Sequence, residues 1–439
     1  MNSRPTVNMV TLGCAKNLVD SEYLSHQLQL NGFEVTHESR QPRDVTIINT
    51  CGFINDAKQE SIESILTHAS QKQQGGASRI YVMGCLSQRY REELQAEMPE
   101  VDRFFGVYEQ PAILKELKAD FWPESSHKRS LATPGHYAYL KVAEGCNRKC
   151  SFCSIPLIKG NYTSKPLEEL EKEARFLAGK GVKEINLIAQ DLSYYGYDLQ
   201  KKALLPELIR RLDRMDSFEW IRMLYAYPAG FPTKVLELMK ESPHICQYLD
   251  IPVQHISDRI LKAMRRGHSR KQTYQVLNLI MSKIPRATLR TTLLVGYPGE
   301  TEKDFNELLE FVREVQFDRL GVFTYSEEEG THAAQTSRDD VPQRIKEERA
   351  DEIMRTQQEI SYRKNREKIG QSMRVLIDGE DGQYFYGRSE ADAPEVDNGV
   401  LIARADHPHL QPGRFYEVAI TDATDFDLYA ETGRRRSEG

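Results

Sequence analysis

The sequence predicts an α/β protein in three parts: a three-layer α/β domain, a partial (β/α)6 barrel and a small β-barrel. Three observations carry this. Strand and helix patterns alternate before residue 100 and again between residues 137 and 324, and such alternation means parallel strands joined by crossover helices. After residue 371 the pattern changes to short strands separated by turns bearing Gly and Asp, as in a small closed sheet of OB-fold size. A chain of 439 residues has room for two or three such domains.

In the first part, residues 6–12, 44–49 and 79–83 read as strands, with helices near 20–31, 56–73 and 87–97. Each strand runs almost at once into a cysteine: Gly13-Cys14, Thr50-Cys51 and Gly84-Cys85. Parallel sheets bind ligands at the carboxyl ends of their strands. Cys14, Cys51 and Cys85 are therefore expected to converge on one point, as ligands of a cluster. A polar stretch, 123–134, reads as a linker.

The second part has candidate strands at 137–142, 184–189, 219–224, 247–251, 289–295 and 319–324. Helices at about 166–180, 203–214, 232–241, 257–265, 270–283 and 301–315 fall between them. Its chemistry is expected at the C-terminal mouth of the strands. A charged helix, 342–368, connects to the third part. There Met373–Asp378, Tyr384–Arg388, Gly399–Arg404 and Phe415–Thr421 are the expected strands, and Arg434-Arg435-Arg436 stands in the tail. The parts divide as 5–122, 132–369 and 371–437.

Composition sets limits on function. The chain is 39% hydrophobic and 28% charged, enough to form a large core. It has no apolar run of membrane-helix length, and Met1-Asn2-Ser3-Arg4-Pro5 is unlike a signal peptide. A cytoplasmic protein without a membrane partner is expected. Seven cysteines in such a compartment argue for metal or redox chemistry over structural disulfides.

The most informative run is Glu144-Gly145-Cys146-Asn147-Arg148-Lys149-Cys150-Ser151-Phe152-Cys153. Its C-x3-C-x2-C spacing offers three thiolates to an iron–sulfur cube that normally takes four. One iron is left open, as one position stays free in catalytic zinc sites. A chance cluster or a zinc knuckle is the bland alternative, but zinc usually takes four protein ligands.

The spacing resembles the radical S-adenosylmethionine (SAM) enzymes. The resemblance implies that Cys146, Cys150 and Cys153 are catalytic cluster ligands. The open iron would chelate SAM, and one electron would split SAM to a deoxyadenosyl radical. Phe152 would shield the cluster and help seat the adenine. Leu293 to Thr301 ends a strand and opens a helix, and in such a barrel it resembles the lining of the SAM site. That implicates Gly296, Gly299 and Glu300, with Gln190 as a further contact and Gln254 and His255 at the same mouth. Arg290 either faces SAM or neutralises a barrel carboxylate. Arg265-Arg266-Gly267-His268 is either a solvated face or a substrate contact. Cys246 reads as a buried structural thiol.

Two further segments extend the resemblance. Leu12-Gly13-Cys14-Ala15-Lys16-Asn17-Leu18-Val19-Asp20-Ser21-Glu22 and Asn49-Thr50-Cys51-Gly52-Phe53-Ile54 are similar to the N-terminal domain of the radical-SAM methylthiotransferases. The likeness covers essentially the whole chain and makes the third part a TRAM barrel. It implies that Cys14, Cys51 and Cys85 hold an auxiliary cluster, so that the cofactors are two [4Fe-4S] clusters and SAM. It also implies an enzyme that attaches a methylthio group to an unactivated carbon, with reduced flavodoxin or ferredoxin as electron donor.

One branch of that family modifies an adenosine derivative in transfer RNA. Another, of the RimO type, modifies the β-carbon of one aspartate in protein twelve of the small ribosomal subunit. Gly13-Cys14-Ala15-Lys16-Asn17 resembles the ribosomal-protein branch, whereas the RNA branch tends to read Gly-Cys-Gln-Met-Asn. Charge points the same way. Residues 371–431 carry four arginines and thirteen acidic residues, a net charge of −9. Such a barrel repels RNA, whose binding rests on phosphate contacts, and attracts a basic ribosomal protein. Direct RNA binding by it is not expected; plain solubility is the bland reading of the acidity. Lysines at 159 and 165 stand where the family often has arginines, which keeps charge but loses bidentate recognition. The alternatives are methylthiolation of transfer RNA and, outside enzymes, an iron–sulfur carrier.

Overall fold

The computed structural model describes residues 4–75 and 79–432; Arg434, Arg435 and Arg436 lie outside the described residues. The first domain is a parallel five-stranded sheet. Its strands are β1 (Thr6–Thr11), β2 (Glu34–His37), β3 (Val45–Thr50), β4 (Arg79–Gly84) and β5 (Arg103–Phe104), in the order β2-β1-β3-β4-β5. Side chains alternate between the faces of a strand, and two cores result. Val7, Met9, Val45, Ile47, Tyr81 and Met83 pack against Leu24, Leu28, Ile113 and Leu114 on one face. Val10, Ile48, Ile80 and Val82 pack against Ile65, Ala69, Leu86 and Leu94 on the other. These are the expected three layers. Sequence patterning missed β2 and β5, short edge strands without a run of apolar residues.

The central domain begins with β6 (Tyr137–Lys141) and a small hairpin, β7 (Ala143–Glu144) and β8 (Thr163–Ser164). Then follow β9 (Glu184–Ile188), β10 (Trp220–Met223), β11 (Ile245–Asp250), β12 (Thr288–Val295) and β13 (Arg319–Thr324). The sheet order β6-β9-β10-β11-β12-β13 follows the chain, all parallel. This is the open six-unit barrel that the alternation predicts. The helix Gln343–Arg366 packs along β13.

The third domain is a closed barrel of five strands. They are β14 (Ser372–Glu380), β15 (Tyr384–Ser389), β16 (Val400–Ala403), β17 (Phe415–Ala423) and β18 (Leu428–Thr432). The patterning found four; β18 is needed to close the sheet between β16 and β17. No helix among the described residues is long and apolar enough to cross a membrane.

Two joints differ from the sequence expectation. The stretch 123–134 is no loose linker. Arg129 is buried in it and pairs with Glu22 of the first domain (2.8 Å) and Glu173 of the second (3.2 Å). The acidity of the small barrel is also partly consumed inside the molecule. Asp378 meets His136 (2.9 Å), Asp392 pairs with Arg319, and Asp397 pairs with Arg290 (3.3 Å) and takes the Tyr248 hydroxyl (2.6 Å). Those carboxylates fasten the barrel to the base of the central sheet.

Candidate active site at two cysteine trios

The first trio is assembled by the sheet. β1, β3 and β4 are neighbours and end together, so the residues that follow them meet. Gly13, before Cys14, turns the chain at φ +89°, and a Cβ there would lie 2.6 Å from the Cys51 Cβ and 2.9 Å from its Sγ. Only glycine fits this turn. It lets the helix Ala15–Leu30 start directly after Cys14, five residues earlier than the expected start at 20. Asn17, on its first turn, donates to the Leu12 carbonyl (3.0 Å) and the Thr50 carbonyl (3.1 Å). Its Oδ1 faces the Cys85 Sγ at 3.9 Å. Asn17 thus ties all three cysteine loops together. Sequence reading missed this role; the signal available was its place three residues after Cys14. Ser61 closes the second loop, donating to the Cys51 carbonyl and accepting from its N–H, both at 3.0 Å.

The second trio sits on one loop at the mouth of the central sheet. Gly145 has φ +76°, and a Cβ there would strike the Asn161 carbonyl oxygen at 2.2 Å. The Cys146 N–H donates to the Gly160 carbonyl (3.1 Å), and Asn147 Oδ1 accepts from the Tyr162 N–H (3.1 Å). Ser151 is buried and fixes the middle of the loop. Its N–H donates to the Met264 carbonyl (2.9 Å), its carbonyl accepts from Ala333 (2.7 Å), and its hydroxyl meets Tyr297 (2.8 Å).

Arg266 donates through Nη1 to the Cys150 Sγ at 3.2 Å. Its guanidinium stands 4.3 Å from the centre of the Tyr227 ring, and that of Arg148 stands 4.0 Å from the same ring. Arg148 is anchored by the buried Asp191 at 2.7 Å. Arg266 is therefore neither a solvated side chain nor an outward substrate contact.

A short helix joins the trios. Ile155–Lys159 begins two residues after Cys153, and its far end packs against the helix Cys85–Arg89, with Ile158 touching Cys85. At 1.5 Å per residue such a helix spans only about 6 Å. Lys159, at its end, lies 3.6 Å from Asp20 and 3.5 Å from Glu144. Burial works against ionisation of Glu144, but Lys141 and Lys159 outweigh it and hold this carboxyl well below the usual range.

The other predicted residues fall into two groups. Phe152 lines a cavity of about 600 Å³ between the domains, with Phe53 of the Cys51 loop, Asp56 in the first turn of the next helix, and Leu294, Tyr325 and Lys346 of the central domain. Gln190 donates to Glu144 at 2.6 Å. Gly296, Gly299 and Glu300 form a turn braced from within. The Glu300 carboxylate takes the Gly296 N–H (3.0 Å) and Arg349 (2.9 Å), and Asp340 takes the Gly299 N–H (2.7 Å). His255 is buried 3.4 Å from Glu300. Gln254 lines the same cavity as Phe152. Arg290 neutralises Asp250 (3.2 Å) and Asp397, the second of its two readings. Cys246 is buried in β11.

Burial pushes the Cys85 thiol up to about 12 and the Cys146 thiol up to about 11, and raises Cys51 and Cys153 as well. Such thiols are protonated near neutrality and poor nucleophiles. They ionise when a metal replaces the proton, so these four thiols suit ligation and not covalent catalysis by a bare thiolate. Among the described residues no three Cys, His, Asp or Glu side chains are grouped to hold a single metal ion. Thiolates around one tetrahedral zinc stand only about 3.8 Å apart, from Zn–S bonds of about 2.3 Å. Zinc also usually takes four protein ligands, whereas each trio offers three sulfurs of the kind an iron–sulfur cluster takes.

Comparison with known proteins agrees with each part. The chain matches the Radical SAM superfamily over residues 140–312, the uncharacterized protein family UPF0004 over 6–106 and the TRAM domain over 369–432. It is 51% identical to the ribosomal protein uS12 methylthiotransferase RimO of Bacteroides fragilis, across 98% of this chain and 99% of that one. The same-named protein of Flavobacterium johnsoniae is 53% identical, across 97% of each.

The chain belongs to the RimO family of methylthiotransferases.

It is accordingly a radical-SAM enzyme, and the RimO family's Radical SAM domain implies one [4Fe-4S] cluster and SAM. Among solved structures, the radical SAM methyltransferase TsrM of Kitasatospora setae has a TM-score of 0.54 at 13% identity, over 76% of this chain and 77% of that one. The cobalamin-dependent SAM radical enzyme OxsB has a TM-score of 0.52 at 15% identity, over 82% of this chain and 56% of that one. These two likenesses concern the fold alone.

Proposed function

We propose that this RimO-family enzyme methylthiolates the β-carbon of an aspartate in ribosomal protein uS12. The observation that carries the chemistry is the meeting of two cysteine trios, each without a fourth cysteine, at the two ends of one short helix. The substrate follows the uS12 methylthiotransferases that share about half of their residues with this chain over nearly its full length.

In this reading Cys146, Cys150 and Cys153 hold the cluster that binds SAM, and Cys14, Cys51 and Cys85 hold a second one. Bound there, the first cluster with SAM would supply the hydrogen-abstracting radical, and the second would hold the sulfur that is transferred. The protein's own part is placement and exclusion of water. Arg266 offsets negative charge at the Cys150 sulfur, and Phe152 walls the cavity where SAM and substrate meet. The braced turn at Gly296, Gly299 and Glu300 stands outside the cavity lining and supports it from behind, where Gly296 packs against the Lys346 stem; Gln190, also outside it, holds Glu144.

The segment 5–122 presents the sulfur, 132–369 generates the radical and 371–437 docks the substrate. Docking rests on the acidic residues that the interface leaves free, such as Asp381, Asp406 and Glu417, which suit a basic ribosomal protein and not RNA. The enzyme works in the cytoplasm with reduced flavodoxin or ferredoxin.

The test is a mass comparison in cells with and without the gene. Intact uS12 should lose one methylthio increment, with transfer-RNA nucleosides unchanged. Loss of a methylthio nucleoside instead would transfer the enzyme to the RNA branch. Stoichiometric release of 5′-deoxyadenosine on reduction separates either enzyme from an electron carrier.

A further inference from the structure

Four lysines stand close to the junction of the two domains, and one of them differs from the rest. Lys141 pairs with Asp20 and with Glu144 (2.7 Å), Lys159 lies within 3.6 Å of the same two carboxylates, and Lys165 pairs with Glu173 (3.1 Å). Lys16 has no carboxylate within 4.0 Å and no hydrogen-bond acceptor among the described residues. Its ammonium instead lies 3.6 Å from the centre of the Tyr225 ring. A ring face accepts only part of what an ammonium offers; Lys carries three donors. In this half-buried place they are left to solvent, and a ligand's carboxylate can take them in a charge-assisted bond.

The surroundings are built to hold that ammonium in place. Tyr225 follows β10 at the mouth of the central domain and has φ +63°, a conformation that costs a non-glycine residue free energy. Its N–H donates to Asp250 Oδ2 (3.0 Å) and its carbonyl accepts from the Leu192 N–H (3.0 Å), so the ring is pinned under Lys16. Lys16 itself is on the first turn of the helix Ala15–Leu30, two residues beyond the exposed Cys14. The result is a fixed cation with free donors, beside the first cysteine trio and facing the mouth of the second domain.

We propose that Lys16 receives the side-chain carboxylate of the substrate aspartate. This rests on the function proposed above and names the residue that reads its target. The β-carbon of an aspartate is bonded to its carboxylate carbon. Gripping the carboxylate at Lys16 therefore sets where the β-carbon lies relative to Cys14. Lys16 is a specificity-determining residue in this scheme, and the reacting carbon is placed by a charge and not by shape alone.

The experiment is a four-way binding cycle with the reconstituted, full-length enzyme. The probes are purified uS12 and uS12 with the target aspartate changed to asparagine. Each is titrated against the native enzyme and against K16M, which keeps the length of the stem and removes the charge. A charge-assisted hydrogen bond of about 1.5–3 kcal/mol corresponds to roughly ten- to hundredfold in affinity. Loss of either charge should weaken binding by that factor, and loss of both should cost no more than loss of one. K16R should recover most of the affinity. Iron content and the unfolding temperature verify that K16M is loaded and folded; if it is not, K16Q takes its place in the same cycle.

Equal weakening of K16M toward both forms of uS12, or none toward either, overturns the role of Lys16 while the native enzyme still modifies uS12. A native enzyme that leaves uS12 unmodified overturns the proposed function itself, and the role of Lys16 with it.

Discussion

The two cysteine trios are built in opposite ways. Cys146, Cys150 and Cys153 lie on one loop, held by backbone bonds to Gly160, Met264 and Ala333. Cys14, Cys51 and Cys85 come from three strand ends and meet only because β1, β3 and β4 are adjacent. The first arrangement is nearly complete in the local chain; the second exists only in the folded sheet. The lesson is that the same donor set is reached by spacing in one domain and by topology in the other. Damage to the fold should therefore strike the two sites unequally.

The largest effect is expected from the cysteines. Replacing Cys146, Cys150 and Cys153 by alanine should abolish both 5′-deoxyadenosine release and methylthio transfer. Replacing Cys14, Cys51 and Cys85 should abolish transfer and leave 5′-deoxyadenosine release in place. Transfer that persists in the second variant would remove the auxiliary cluster from the reaction.

Next is the joint between the domains. Arg129→Met leaves Glu22 and part of Glu173 buried without their cation, and breaking a buried ion pair costs about 3–5 kcal/mol. The unfolding temperature should fall, and iron should be lost first from the sheet-built trio, because Glu22 lies on the helix that follows Cys14. Equal loss from both trios, followed by Mössbauer spectroscopy of single-trio variants, would contradict the comparison.

A smaller change tests the turns. Gly13→Ala meets the Cys51 side chain and Gly145→Ala meets the Asn161 backbone, both at positive φ. The left-handed conformation alone costs about 1–2 kcal/mol, and the contacts add to it. Each variant should lose the iron of its own trio and keep the other. Iron analysis with the EPR spectrum of each variant reads this.

The smallest effect concerns tuning. Arg266→Lys keeps a cation near Cys150 and loses the geometry by which the guanidinium reaches both the sulfur and the Pro252 carbonyl (2.5 Å). Fewer hydrogen bonds to the cluster sulfur should lower the reduction potential of that cluster, with methylthio transfer slowed by about tenfold or less. An unchanged potential would make Arg266 a packing residue.

How much of this was readable in the sequence varies with how local the signal is. The alternation located every strand of the central sheet to within about two residues, because each adjoins amphipathic helices and the inner strands are buried on both faces. It missed β2, β5 and β18, whose places are set by neighbours in the sheet and not by their own residues. The late start assigned to the first helix has a similar cause. Ala15, Lys16 and Leu18 are good helix formers, but Cys14 before them is no capping residue, and the start depends on Gly13 turning the chain and on Asn17 bonding across to Thr50.

By itself the sequence determined the fold class, the two sets of three cysteines and the family, because periodicity and cysteine spacing survive without any tertiary contact. The tertiary structure decided what those residues meet. It placed the trios at the two ends of one helix, turned the polar stretch at 123–134 into a buried ion-pair joint, drew Asp392 and Asp397 into the domain interface and set Arg266 against Cys150. It also left the Lys16 ammonium without a carboxylate beside Cys14. Each of these depends on groups far apart in the chain, and the strength of a charge or a hydrogen bond is fixed by burial and by partners, neither of which is written in the local sequence.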